Sequence, residues 1–329
     1  MRAIGTEGES DRGVVGAGHP AEVSAGLAML EAGGNAVDAL VAAAFMAFVV
    51  EPAMCGLGGY GRLSVFSATR GELLSVDHYL RAPGAARPDM FEIDETRGLK
   101  YYETPYTKGL KAERGPLAAC VPGAVAGLYW AQRRLGRLAW ARVLEPAIAA
   151  AREGLEVGWS LFLQLAQNEP AIRAEPATAA IYLPQGRLPR PPGQIEPAER
   201  LGLGDLAATL ELVAERGADG FYRGRVAAAI GETFRARGGI LSAEDLAAYR
   251  PRVVAETPQR YRGLAYVTCL DPVGYEALNI LDRFDLAATG PESLAFRHLM
   301  AEAMAAAFVD NIAHYGDPDF GFAAVSAAL

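Results

Sequence analysis

Apolar residues near the start of the chain recur every three to four positions, the rhythm of helices. Val23, Leu27 and Leu30 share one face of a helix opening at Pro20, where a missing N–H is harmless. His19 stands at its entrance, and Gly33-Gly34 stops it. Asn35, with Asp38 in the following turn, reads as the N-cap of a second helix. The uncharged run from Ala39 to Val50 lies between Asp38 and Glu51. It is shorter than the roughly 20 apolar residues that a membrane span needs, so it predicts a helix buried on most sides and no membrane span.

Beyond the glycines at 56, 58, 59 and 61 the rhythm changes. Leu63, Val65 and Phe66 predict a strand, Thr69-Arg70-Gly71 a turn, and Leu73 to Val76 the return strand of a hairpin. Residues 81–113, with prolines at 83, 88 and 105, read as irregular. From Gly123 to Tyr249 the period is again helical, interrupted at Gly154, Gly217 and a surface loop from Pro184 to Pro197. Arg260 to Leu270 predicts one strand, Asp271-Pro272 before Gly274 a turn, and Glu292 to His314 a long helix.

Composition narrows the class. With 51% hydrophobic and 21% charged residues the chain is that of a soluble globular protein, large enough to bury a substantial core. A formal net charge of −8 disfavours nucleic acid as a partner. Cys55, Cys120 and Cys269 are few and far apart, against a disulfide framework or zinc knuckle and in favour of buried reduced thiols. The polar, acidic opening has no apolar signal core. Together these predict a cytoplasmic protein, with export as the alternative.

Candidate chemistry is sparse. Gly56-x-Gly58-x-x-Gly61 matches the dinucleotide fingerprint, but that motif needs a strand before it and a helix after it, and the order here is reversed. The loop reads instead as a tight helix-to-strand corner or as the lining of a ligand pocket, its glycines permitting positive φ and close backbone approach. None of His19, His78, His298 and His314 stands in a zinc spacing. His298 and Glu302 could share a metal, though a solvated pair is the simpler reading. No GxSxG elbow is present. The residues by themselves support a mixed α/β domain with no evident cofactor.

Several segments, in order along almost the whole chain, resemble the γ-glutamyltranspeptidase family. They include Gly18-His19-Pro20, Gly33-Gly34-Asn35-Ala36-Val37-Asp38-Ala39, Glu51-Pro52, Gly56-Leu57-Gly58-Gly59 and Ala82-Pro83. Val121-Pro122-Gly123, Glu145-Pro146-Ala147, Gly238-Gly239-Ile240-Leu241, Asp245 to Tyr249 and Gly316-Asp317-Pro318-Asp319-Phe320 continue the series. The resemblance implies an N-terminal-nucleophile hydrolase with an αββα sandwich, made from a precursor that cleaves itself before a threonine. The new N-terminal Thr would supply hydroxyl nucleophile and amine base together. In the family that threonine and the glycine-pair oxyanion donors belong to a smaller chain. Residues 1–329 are therefore expected to form one helix-rich large-subunit portion, incomplete and inactive without a small-subunit partner, with no catalytic residue of its own and no metal or organic cofactor.

The resemblance also places the substrate. Where the family holds a γ-glutamyl α-carboxylate through the arginine of Asp-x-Arg-x-x-Ala-Pro, this chain reads Asp77-His78-Tyr79-Leu80-Arg81-Ala82-Pro83. Tyr79 takes the arginine position, and Arg81 lies two residues on. Tyrosine cannot form the bidentate pair that guanidinium gives a carboxylate. Either Arg81 takes over the carboxylate or the acyl specificity has changed. Tyr79 and Arg81, with Gly58 and Gly59 beside them, are the expected substrate-binding residues. Asp271-Pro272-Val273-Gly274-Tyr275, where the family carries a proline/serine run ending in paired glycines, points the same way. The leading expectation is the large subunit of a γ-glutamyltranspeptidase-like hydrolase or acyltransferase. An amidase or acylase acting on another amide, and a non-catalytic binding protein, are the alternatives; a nucleotide-dependent oxidoreductase would rest on the glycine triplet alone.

Overall fold

The computed structural model describes residues 9–100, 104–268 and 271–314. Helices α1 (Pro20–Glu31) and α2 (Ala36–Val50) lead into strands β1 (Gly61–Ser67) and β2 (Glu72–His78). Then come α3 (Ala124–Leu135), α4 (Trp140–Glu153), β3 (Leu155–Glu156), α5 (Trp159–Arg173), α6 (Pro176–Tyr182), β4 (Arg200–Leu201) and α7 (Gly204–Arg216). The order continues through α8 (Asp219–Tyr222), α9 (Gly224–Ala236), α10 (Ala243–Ala248), β5 (Arg252–Ala255), β6 (Gln259–Tyr261) and β7 (Leu264–Tyr266). It ends with α11 (Pro272–Leu281), α12 (Leu286–Thr289) and α13 (Leu294–His314). The chain divides into two compact units, Met1–Gly61 with His78–Pro251, and Arg62–Asp77 with Arg252–Leu329.

In the larger unit the predicted start of the chain is borne out. The His19 side chain accepts from the Ala21 N–H at the head of α1. Asn35 and Asp38 form a reciprocal capping box at the head of α2. That helix is buried along most of its length, with Val41 and Phe45 fully so. Phe45 meets Phe48 and Trp140 edge-on at 5.5 and 5.6 Å, and Trp140 in turn meets Tyr129 at 4.9 Å. The Trp140 indole donates to the Val213 carbonyl at 2.7 Å, as a buried Trp must to satisfy its N–H. Aromatic packing thus joins α2, α3, α4 and α7 into one core. Residues 81–100 and 104–113 are irregular as expected, apart from a short 3-10 turn at Lys108–Leu110 and isolated bridges such as Ile93–Thr107, and 101–103 lie outside the described residues.

The smaller unit holds an antiparallel pairing of β2 with β5, Leu74 opposite Ala255 and Val76 opposite Val253, in a sheet of order β1-β2-β5. Its helical part packs α11 on α13 through Val273, Ala277 and Ala307. Two readings need correction here. The single strand expected from Arg260 is a tight hairpin, β6 pairing antiparallel with β7. Arg262 and Gly263 turn it with φ of 50° and 83°, a left-handed pair that closes a two-residue loop. Asp271-Pro272 before Gly274 does not make a free turn but starts α11. Asp271 accepts from the N–H groups of Val273 and Gly274 as N-cap, and Pro272 fills the first helical position. Cys269, Leu270 and the Gly316 to Phe320 segment lie outside the described residues.

Candidate active-site region

The glycine loop runs, as its sequence order required, from a helix into a strand. Gly59 N–H donates to Gly56 O at 2.9 Å, closing a turn. The Gly59 carbonyl then accepts from both Gly123 and Ala124 N–H at 3.0 Å, at the unsatisfied start of α3. None of Gly56, Gly58, Gly59 and Gly61 has positive φ. At two of them the use is close approach: a Cβ on Gly59 would lie 2.9 Å from Gly56 O and one on Gly61 2.8 Å from the His78 ring. Gly58 is exposed, with open space where a side chain would be.

The segment 78–81 docks on the same helix start. Arg81 and Val121 exchange backbone hydrogen bonds of 3.2 and 2.8 Å as an isolated antiparallel bridge. The Tyr249 hydroxyl donates to the Tyr79 carbonyl at 2.7 Å. Gly123 is obligatory here, since an added Cβ would sit 2.1 Å from both His78 O and the Tyr249 hydroxyl. Gly127, one turn on, would place its Cβ 2.3 Å from the His78 side chain. So Gly123 and Gly127 are glycines because His78 and, at Gly123, the Tyr249 hydroxyl lie against them.

Three of the four residues expected to bind substrate therefore converge through shared backbone anchors. Gly59, Tyr79 and Arg81 are tied to residues 121–124 or to Tyr249, while Gly58 projects beyond them. Tyr79 is 44% exposed and its ring meets that of Tyr60 edge-on at 4.4 Å. Arg81 is half-buried. Sequence reasoning missed Tyr60, whose only signal was an aromatic side chain within a run of glycines. It also missed Tyr249, the tether of the Tyr79 backbone.

A buried carboxyl group stands near the start of this region. Glu22 on α1 is 4% exposed. Burial first, then the hydrogen bond and charge of Glu51, push its pKa up to about 7. Cys55, next along from Glu51, is half-buried and free, and its thiol is pushed up to about 11 by burial and by the Glu51 and Glu22 charges. It is a poor nucleophile at neutral pH. Among the described residues no group of three histidines, cysteines or carboxylates is placed to hold a metal. His298 and Glu302 face each other at 3.8 Å, both well exposed, as a solvated pair.

Residues 23–329 match the family model described as Gamma-glutamyltranspeptidase. The chain belongs to the γ-glutamyltranspeptidase family. It is 35% identical over 314 residues to the Acylase ACY 1 proenzyme of Pseudomonas sp. (strain SE83), covering 94% of this chain and 54% of that protein. It is 33% identical to the Glutathione hydrolase proenzyme of Pseudomonas sp. (strain A14), covering 90% and 50%. The chain thus spans about half the length of these curated relatives. Among solved structures, the γ-glutamyltranspeptidase of Helicobacter pylori superposes with a TM-score of 0.85 at 30% identity, covering 95% of this chain and 87% of that one. The fold is accordingly that of the N-terminal-nucleophile hydrolases, here in a helix-rich α/β form, and the named relatives include hydrolases, acylases and transpeptidases.

Proposed function

We propose that this chain is the large-subunit portion of an N-terminal-Thr amide hydrolase or acyltransferase whose acyl pocket is built for something other than a γ-glutamyl α-carboxylate. The observation that carries this reading is Tyr79. It occupies the position where the family resemblance expects the carboxylate-binding arginine, its backbone is fixed by Tyr249, and its ring lies against Tyr60. A phenol presents a single neutral O–H and a face, so it suits a neutral or apolar acyl group better than a carboxylate. The nucleophile comes from a small chain beginning with threonine. Its hydroxyl attacks the amide carbonyl while its own α-amine takes the proton, and N–H donors hold the developing oxyanion. Near-equal similarity to a protein named an acylase and one named a glutathione hydrolase supports the class without choosing between them.

A second reading keeps the γ-glutamyl substrate and moves the clamp to Arg81. Residues two apart in an extended segment point to the same face, and the Arg81–Val121 bridge makes this segment extended. The experiment that separates the two assays the full-length protein on γ-glutamyl-anilide and on simple amides. Turnover of other amides with little γ-glutamyl release is expected. γ-Glutamyl release that Arg81→Ala abolishes and Tyr79→Phe leaves intact establishes the second reading instead. No turnover of any amide, and no threonine-initiated small chain, would refute both.

A further inference from the structure

A cavity of about 690 Å³ opens in the larger unit between the end of α3, α8 and the segment that follows α10. That volume is in the range of small-molecule sites, which run to roughly 300–1,000 Å³. Its charge is unlike the rest of the chain. Four arginines line it, Arg133 and Arg134 from the last turn of α3, Arg223 beyond α8 and Arg250 beyond α10, against one carboxylate, Asp219. The chain as a whole carries −8.

Two of these guanidinium groups are drawn to one point. Arg223 Nη2 and Arg250 Nη1 both donate to the Ala247 carbonyl, at 3.4 and 2.9 Å, at the C-terminal end of α10. Arg250 also donates to the Tyr249 carbonyl at 2.6 Å, and Arg223 to Asp219 at 3.1 Å. Each guanidinium has five N–H donors, so both retain donors after these bonds. Arg133 forms no ion pair among the described residues and is exposed. The wall beneath is built on two stacked tyrosines. Tyr222 and Tyr249 stack at 5.7 Å with planes 10° apart, and the Tyr222 hydroxyl donates to Pro122 O at 2.8 Å while accepting from Ala126 N–H. Four arginines against the single carboxylate of Asp219 leave the lining net positive, and a bound anion would offset that surplus.

We propose that this cavity binds a small polyanion, a molecule carrying two or more phosphate or carboxylate groups, through Arg133, Arg134, Arg223 and Arg250. Guanidinium groups match both kinds of oxyanion bidentately, and several converging on one volume select for more than one negative group. The site is separate from the acyl-group region, with which it shares only Tyr249 as a wall.

The test is calorimetric titration of the full-length protein with pyrophosphate and, separately, with citrate, at constant ionic strength. Saturable binding of at least one is expected, and whichever is tighter identifies phosphate or carboxylate as the source. Loss of one charge-assisted contact should weaken it about tenfold or more in both Arg133→Gln and Arg250→Gln. Arg133 is exposed at a helix end, so its variant keeps the test valid even where Arg250→Gln disturbs the α10 carbonyls. A thermal midpoint raised by the anion in the wild type, and not in Arg133→Gln, is the matching result. Absence of saturable binding by either anion, or affinity unchanged from the wild type in both variants, would overturn the proposal.

Discussion

At the scale of single residues, the buried acid and the tyrosine pair behave differently. Glu22 carries no signal in the sequence, because its burial against Glu51 depends on a contact between separate segments. Its proton has a consequence for stability. In the folded chain the carboxyl, pushed up to about 7, holds a proton that the unfolded chain has already lost above the usual carboxylate range. Stability from this group is therefore fully present at acid pH and declines as pH rises from the usual carboxylate pKa through about 7. Glu22→Gln should flatten the unfolding free energy against pH between 4.5 and about 7 by up to about one proton's slope, read from urea unfolding at several pH values. An unchanged slope would mean that Glu22 is ionised in the fold. Tyr79 and Arg81, by contrast, could be singled out as candidates because a family pattern says what should stand there. Tyr60, which touches Tyr79, was not, since nothing local says which residue an exposed ring will meet.

At the scale of elements, the head of α2 shows how far local rules reach. Asn35 and Asp38 were recognised as cap and first-turn acid from their spacing alone, and they form that capping box. Asp38 also has a second task. Fully buried, it accepts from Gln132 Nε2 at 3.1 Å and from the backbone N–H groups of Arg137 and Leu138 at 2.9 and 3.3 Å, fixing the link between α3 and α4. This long-range role left no local trace. Asn35→Ala should cost about 1 kcal/mol, the usual worth of a cap. Asp38→Ala, which strands several buried donors, should cost about 3 kcal/mol or more. Denaturant unfolding of the two variants checks the ranking, and equal losses would show that Asp38 serves only as a cap. The elements that sequence reading missed are α11, taken for a turn at its N-cap, and several short strands. β3, β4 and β5 have two to four residues, too few to show an alternation, and their strand character comes from partners distant in the chain.

At the scale of the whole molecule, the order of motifs carried the family, and the matches to the family model and to solved structures agree with it. The helical stretch from Gly123 to Tyr249 and the buried α2 were evident from period and composition. Specificity was not, because under the proposed reading it depends on how residues 78–81 lie beside the glycine loop. The central claim is that Tyr79 has displaced a carboxylate clamp, and the most direct measurement is to restore it. In the full-length protein, Tyr79→Arg should raise kcat/KM for γ-glutamyl-anilide about 10- to 100-fold relative to a neutral acyl-anilide, the worth of one charge-assisted pair. A ratio that stays the same or falls, with the wild type already turning over γ-glutamyl-anilide well, would contradict the account and return the carboxylate to Arg81.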